Sequence, residues 1–205
     1  MFVKVCGIRS VEELEVVEKY ADATGVVVEC SSRRRVSLEK AREIVGCASI
    51  PVFVVSTLES FDAWLKVVES TGAEFVQLHG NESTEVAERL KEMGIVIMKA
   101  FRVPKRSKDP GGDAAKLLET IRKFDVDLVL LDTGSGSGEL HDLRVSRMIA
   151  EKVEIVLAGG LNPENVREVV EFVKPFGVDV SSGVEKGGRK SAELVRAFAA
   201  ALGKI

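Results

Sequence analysis

Val3-Lys4-Val5-Cys6-Gly7-Ile8-Arg9-Ser10, continuing into Val11-Glu12-Glu13-Leu14, is the stretch on which the fold turns. A short apolar run stops at a glycine, and a helix signal follows at once. Ser10 with Glu13 is a capping-box pattern ahead of Leu14 and Val17. The same unit recurs along the chain. Further apolar runs stand at Gly25–Val28, Val52–Val55, Glu74–Leu78, Val96–Ala100, Asp127–Leu131, Ile155–Ala158 and Val178–Val180. They begin about 22 to 31 residues apart, one βα unit each. The runs are continuously apolar, which suits parallel strands covered on both faces. Between them, Ser37 caps a helix through Ile44. The helix around Trp64 and Leu65 ends near Gly72, and the one carrying Val86 and Leu90 ends near Gly94. Asn162-Pro163 reads as an N-cap and first helical residue, and Ser191 caps the last helix. Eight strands and eight helices in 205 residues predict an α/β fold, a single (β/α)₈ TIM barrel with eight parallel strands spanning residues 1–205. The rival is an open doubly wound sheet. Even spacing, and no Gly-x-Gly-x-x-Gly after the first strand, favour the barrel. Val103–Gly112, with Pro104 and Asp109-Pro110-Gly111-Gly112, reads as a long loop after the fifth strand.

Composition narrows the function classes. Charged residues make up 30% of the chain and nearly balance, for a net charge of -3, so there is no basic excess of the kind nucleic-acid binding needs. The apolar runs are far too short to span a membrane. Met1 leads straight into a strand with no signal-peptide core, and the three cysteines, Cys6, Cys30 and Cys47, form neither a disulfide framework nor a zinc pattern. A free-standing cytoplasmic protein with free thiols and no metal is the expectation. Its oligomeric state, monomer or homodimer, is left open.

In a barrel of this kind, chemistry sits where strands end. Cys6 ends the first strand. It reads either as a general base, if a neighbour holds it as thiolate, or as a small buried apolar residue. Asp132 follows four apolar residues at the end of the sixth strand and reads as a proton-transfer group or a loop cap. Gly134-Ser135-Gly136-Ser137-Gly138 after it reads as a mobile loop able to close over a substrate, or as a plain turn. Ala158-Gly159-Gly160 and Val180-Ser181-Ser182-Gly183 end the last two strands. Their small residues expose backbone N–H groups and predict a phosphate site. His79 ends the fourth strand and fits a hydrogen-bonded structural role better than a catalytic one; His141 has no assigned role. One of Arg33, Arg34 and Arg35 can reach the same face to grip a carboxylate, leaving two solvated.

Taken in order, Lys4-Val5-Cys6-Gly7-Ile8, Gln77-Leu78-His79-Gly80, Leu130-Leu131-Asp132-Thr133, Gly136-Ser137-Gly138 with Asp142, Ala158-Gly159-Gly160-Leu161-Asn162-Pro163-Glu164-Asn165-Val166 and Gly177-Val178-Asp179-Val180-Ser181-Ser182-Gly183-Val184-Glu185 resemble the phosphoribosylanthranilate isomerases of tryptophan biosynthesis. The resemblance covers the whole chain. It implies a barrel needing no cofactor, acting on a small phosphorylated substrate, with Cys6 as general base and Asp132 as general acid. It places the carboxylate-binding arginine on Arg34, the phosphate on Gly159, Gly160, Ser181 and Ser182, and Asp179 among the substrate-binding residues. The acid role requires a raised Asp132 pKa. The chain departs from the family at His141-Asp142-Leu143, where Phe-Asp-Trp is common, and at Ser191, where Asp is common. A histidine-pathway aldose–ketose isomerase would carry a carboxylate at Cys6. A non-catalytic phosphate-binding barrel would have no reason to keep Cys6 and Asp132 together.

Overall fold

The structure, a computed structural model, describes residues 1–134 and 139–205. Eight strands alternate with eight helices: β1 (Phe2–Cys6), α1 (Val11–Val17), β2 (Ala23–Val27), α2 (Leu38–Cys47), β3 (Val52–Ser56), α3 (Phe61–Thr71), β4 (Phe75–Leu78), α4 (Thr84–Glu92), β5 (Val96–Arg102), α5 (Pro110–Ile121), β6 (Leu128–Asp132), α6 (Leu143–Ala150), β7 (Ile155–Leu157), α7 (Val166–Val173), β8 (Gly177–Val180) and α8 (Ala192–Ala201). The strands close in chain order into one parallel barrel, with β1 pairing β8. A 3-10 turn (Ser182–Val184) and a hairpin of β9 (Glu185–Lys186) and β10 (Arg189–Lys190) follow β8.

Side chains alternate across a strand, and this divides the buried residues into two clusters. Val3, Val5, Val26, Val54 and Val76 face outward and pack with helix residues such as Leu14, Ile44, Trp64 and Leu90. Cys6, Ala23, Val27, Phe53, Val55, Met98, Leu130, Val156 and Ala158 fill the inside. Both faces are covered, so most strand residues are apolar, and the polar exceptions inside the strands, among them Lys4, Gln77, Lys99 and Asp179, are buried.

The helix ends follow local chemistry. Ser37 accepts from the Lys40 N–H, Ser191 accepts from Leu194, and Gly72 ends α3 in the left-handed conformation. At α1 only half of the capping box forms in place. Ser10 accepts from the Glu13 N–H, but the Glu13 carboxylate reaches past Ser10 to the Arg9 N–H at 2.7 Å and to the Lys190 N–H at 3.1 Å.

Two expectations are corrected. The long loop after β5 stops at Asp109, because Pro110-Gly111-Gly112 is the first turn of α5. Asp109 accepts from the Gly112 N–H at 3.0 Å, and Pro110 sits where a helix needs no donor. Conversely, Asn162 does not start α7. Its side chain accepts from the N–H groups of Glu164 and Asn165, closing a separate turn, and α7 begins at Val166.

Candidate active site

All eight residues expected in a site, Cys6, Arg34, Asp132, Gly159, Gly160, Asp179, Ser181 and Ser182, line one cavity of about 210 Å³ at the C-terminal mouth of the barrel. Arg33 and Arg35 are exposed and stand outside its lining, so Arg34 alone of the three reaches it. Of the expected covering loop, Gly134–Gly138, all but Gly134 lies outside the described residues. Leu143, in place of the family's aromatic, is the first residue of α6 and packs against the outer core.

Cys6 ends β1 with its side chain inside the barrel. Lys4, two residues earlier, points the same way and is fully buried. Register places Lys4 opposite Asp179 of β8, and Lys4 Nζ donates to Asp179 Oδ2 at 2.9 Å. Among the described residues, Asp179 Oδ1 is buried and meets no partner, and Asp179 lines the cavity. Burial pushes the Cys6 thiol up, Lys4 pulls it down, Asp179 pushes it up again, and the net direction is upward. Burial likewise raises the Asp179 carboxyl, and Lys4 opposes it. Lys4 keeps its charge: burial alone would lower it, but Asp179 and Cys6 outweigh burial.

Asp132 ends β6, three strands from β1 around the barrel, so acid and thiol stand on opposite sides of the mouth. His79 Nε2 lies 3.3 Å from Asp132 Oδ2. The Gln77 amide lies 3.0 Å from His79 Nδ1. With that amide donating, the ring proton sits on Nε2 and faces Asp132. Burial raises the Asp132 carboxyl, but the His79 bond and charge, with the Gly134 and Thr133 N–H groups, outweigh it, and the net direction is downward. The raised pKa that a general acid calls for is therefore not supplied by the protein groups around Asp132.

At the other side, the turns after β7 and β8 lie backbone against backbone. A Cβ on Gly183 would come 1.9 Å from the Leu161 carbonyl oxygen, so only glycine lets them meet. Among the described residues, the Gly159 and Gly160 N–H groups meet no acceptor. The 3-10 turn beginning at Ser182 stands beside them, as in phosphate sites built from these two loops.

Sequence reasoning missed Lys4, which was there to find: a lysine two residues before a strand-end cysteine shares its face. His79, expected in a hydrogen-bonded role, is held by Gln77 and by Asp132, a partner distant in sequence. Among the described residues, no group of His, Cys, Asp or Glu is arranged to hold a metal ion, and no helix is long and apolar enough to cross a membrane.

His141 lies under α6. Its Nε2 is 2.6 Å from Ser146 Oγ, and its ring is buried. Burial takes its pKa down to about 4, against opposing pulls from Asp132 and Asp142. The unfolded chain therefore binds a proton that the folded chain refuses, and stability from neutral His141 is lost as pH falls from 6.5 towards 4. Thermal unfolding of wild type and His141→Leu across this range should differ in slope, by on the order of 3 kcal/mol in total. Parallel curves would show that His141 does not titrate this way.

The family described as N-(5'phosphoribosyl)anthranilate (PRA) isomerase matches residues 3–201. The N-(5'-phosphoribosyl)anthranilate isomerase of Pyrococcus furiosus is 58% identical over 199 residues, 97% of this chain and 96% of that one. A solved structure of the Pyrococcus furiosus enzyme superposes with a TM-score of 0.94, at 53% identity and with 100% of both chains covered. A phosphoribosyl anthranilate isomerase in complex with reduced 1-(o-carboxyphenylamino)-1-deoxyribulose 5-phosphate superposes with a TM-score of 0.79, at 34% identity and again over 100% of both chains. Matched from its first strand to its last helix, the chain belongs to the N-(5'-phosphoribosyl)anthranilate isomerase family.

Proposed function

We propose that the protein converts N-(5-phosphoribosyl)anthranilate to 1-(2-carboxyphenylamino)-1-deoxyribulose 5-phosphate, an Amadori rearrangement in tryptophan biosynthesis. Cys6 is the general base and Asp132 the general acid, and no metal or cofactor takes part. One observation carries this reading. A thiol and a carboxylate face each other across a cavity whose wall also holds Arg34, the Gly159-Gly160 turn and the Ser181-Ser182 turn. A substrate with a phosphate at one end and a carboxylate at the other is held by both, with its sugar between acid and base.

Asp132 protonates the ribose ring oxygen, and the ring opens to a Schiff base. The C2 proton is now acidic. Cys6 removes it, giving an enolamine that tautomerises to the ketone. Asp132 must be protonated when the substrate is bound. The substrate's phosphate and carboxylate bring negative charge and displace water, and both effects raise a carboxyl. Cys6 must be a thiolate. The Lys4 ammonium, with a further pull from Lys190, favours negative charge on sulfur, while Asp179, bonded to the same Lys4, opposes it, so the two acids are coupled through Lys4.

This makes a signed prediction. Asp179→Asn removes the competing anion, leaving Lys4 to Cys6 alone. The Cys6 pKa falls, and the pH profile for alkylation of Cys6 by iodoacetamide moves to lower pH. Lys4→Met moves it to higher pH. An unchanged profile in both variants would remove Lys4 and Asp179 from the account of the base.

The activity itself is tested by mixing freshly made N-(5-phosphoribosyl)anthranilate with the purified protein and following loss of anthranilate-type fluorescence. Turnover is expected. None by a folded protein would leave a phosphate-binding barrel with another ligand.

A further inference from the structure

Arg34 reaches the cavity already engaged. Its Nε donates to Glu185 Oε1 at 2.5 Å and its Nη2 to Glu185 Oε2 at 3.0 Å. Glu185 is anchored in turn. Lys190 Nζ donates to Glu185 Oε1 at 3.0 Å, to the Ser181 carbonyl at 3.0 Å and to Ser181 Oγ at 3.3 Å, and Ser181 Oγ donates to the Cys6 carbonyl at 2.9 Å. The side chains are 13% exposed at Arg34, 6% at Glu185 and 1% at Lys190. The hairpin creates this arrangement, because β9 and β10 pair Glu185 directly with Lys190. Gly7 permits it. Its backbone has φ +81, and a Cβ there would come 2.5 Å from Arg34 Cδ, so the arginine stem crosses the turn after β1 where only glycine leaves room.

A guanidinium has two edges that match a carboxylate, the Nε–Nη2 side and the Nη1–Nη2 end. Glu185 occupies the side. The end is the edge still able to grip a second carboxylate. Glu185 faces more than one cation: Arg34 and Lys190 are buried against it, and the exposed Arg33 donates to its Oε2 at 3.2 Å, so the cluster keeps net positive charge that a ligand carboxylate can offset. Burial pushes the Glu185 carboxyl up, but Arg34 and Lys190 outweigh burial and bring it down to about 2, so the anchor stays charged across the working range.

We infer that Glu185, braced by Lys190, is a positioning residue: it fixes the guanidinium plane of Arg34 so that a ligand carboxylate is bound end-on, and it ties that grip to the Ser181 turn. The identity of the ligand rests on the isomerase reading. The edge geometry does not.

The test compares two ligands, reduced 1-(2-carboxyphenylamino)-1-deoxyribulose 5-phosphate and its phenylamino counterpart lacking the carboxylate. Wild type should bind the first about 10- to 100-fold more tightly, the size of a charge-assisted pair. Glu185→Gln presents an amide N–H where Arg34 needs an acceptor. It should lose most of that preference, while its affinity for inorganic phosphate stays within a few-fold. A merely structural change would weaken both ligands alike and leave the ratio standing. Should Glu185→Gln fail to unfold cooperatively, Glu185→Asp serves, since it keeps the charge but is too short to hold Arg34 and Lys190 together, and the same loss of ratio is expected. A variant as selective as wild type, or a wild type with no preference, overturns the inference. Turnover of N-(5-phosphoribosyl)anthranilate by wild type, measured alongside, judges the isomerase reading separately. A carboxylate preference without turnover would leave the inference standing and the reaction wrong.

Discussion

Cys6→Ser is expected to lower kcat/KM for N-(5-phosphoribosyl)anthranilate by about 10²- to 10⁴-fold, the usual contribution of a general base. The substitution is close to isosteric, so the cavity keeps its shape. What it removes is an ionisable atom. A serine hydroxyl beside Lys4 does not deprotonate near neutral pH, whereas a thiol next to an ammonium can. The loss should fall mainly on kcat, because in the proposed mechanism the base acts on the C2 proton only after the substrate is seated. Unfolding temperature and phosphate affinity should move little. Loss of the acid-side limb of the pH–rate profile would complete the case. A Cys6→Ser enzyme retaining a third or more of wild-type activity would show that the base is another group.

Asp132→Asn should be equally severe. Asparagine fills the same space and can still meet His79, but it has no proton to give the ring oxygen. Ring opening then lacks its proton donor, and a loss of about 10²- to 10⁴-fold is expected. The pH profile carries a second signature. With Asp132 as the acid, the basic limb of wild-type kcat is expected to follow it in the substrate complex, and Asn at this position should flatten it. In the ligand-free protein His79 favours the ionised carboxyl. His79→Asn should therefore move that limb to higher pH, because Asp132 then gives up its proton less readily. A basic limb at the same pH in His79→Asn would mean that His79 does not tune the acid.

The barrel was legible because its determinants are local. Capping serines, strand-end glycines and evenly spaced apolar runs each act over a few residues, and together they leave little choice of architecture. The exceptions were local as well. Asp109 and Pro110 form a helix start, but the two glycines behind them mimic a loop. Asn162-Pro163 mimics a helix start, but its side chain is used to close a turn.

Much of the cavity lining was legible for a similar reason, since polar residues that interrupt apolar runs at strand ends must face the mouth. What the sequence could not decide depends on closure of the barrel. Lys4 meets Asp179 across 175 positions only because β1 and β8 pair in one register. Arg34, rather than either neighbour, enters the cavity because the turn at Gly7 leaves room for its stem and Glu185 waits beside it. The pKa directions of Cys6 and Asp132 were equally out of reach. Cys6 balances burial and Asp179 of β8 against Lys4 of its own strand, and Asp132 balances burial against His79 at the end of β4, and that burial and those distant partners exist only once the strands have met. The sequence by itself determined the barrel and which residues rim its mouth; the tertiary structure alone decided which of them touch, because contact and burial are set by register and closure rather than by neighbours along the chain.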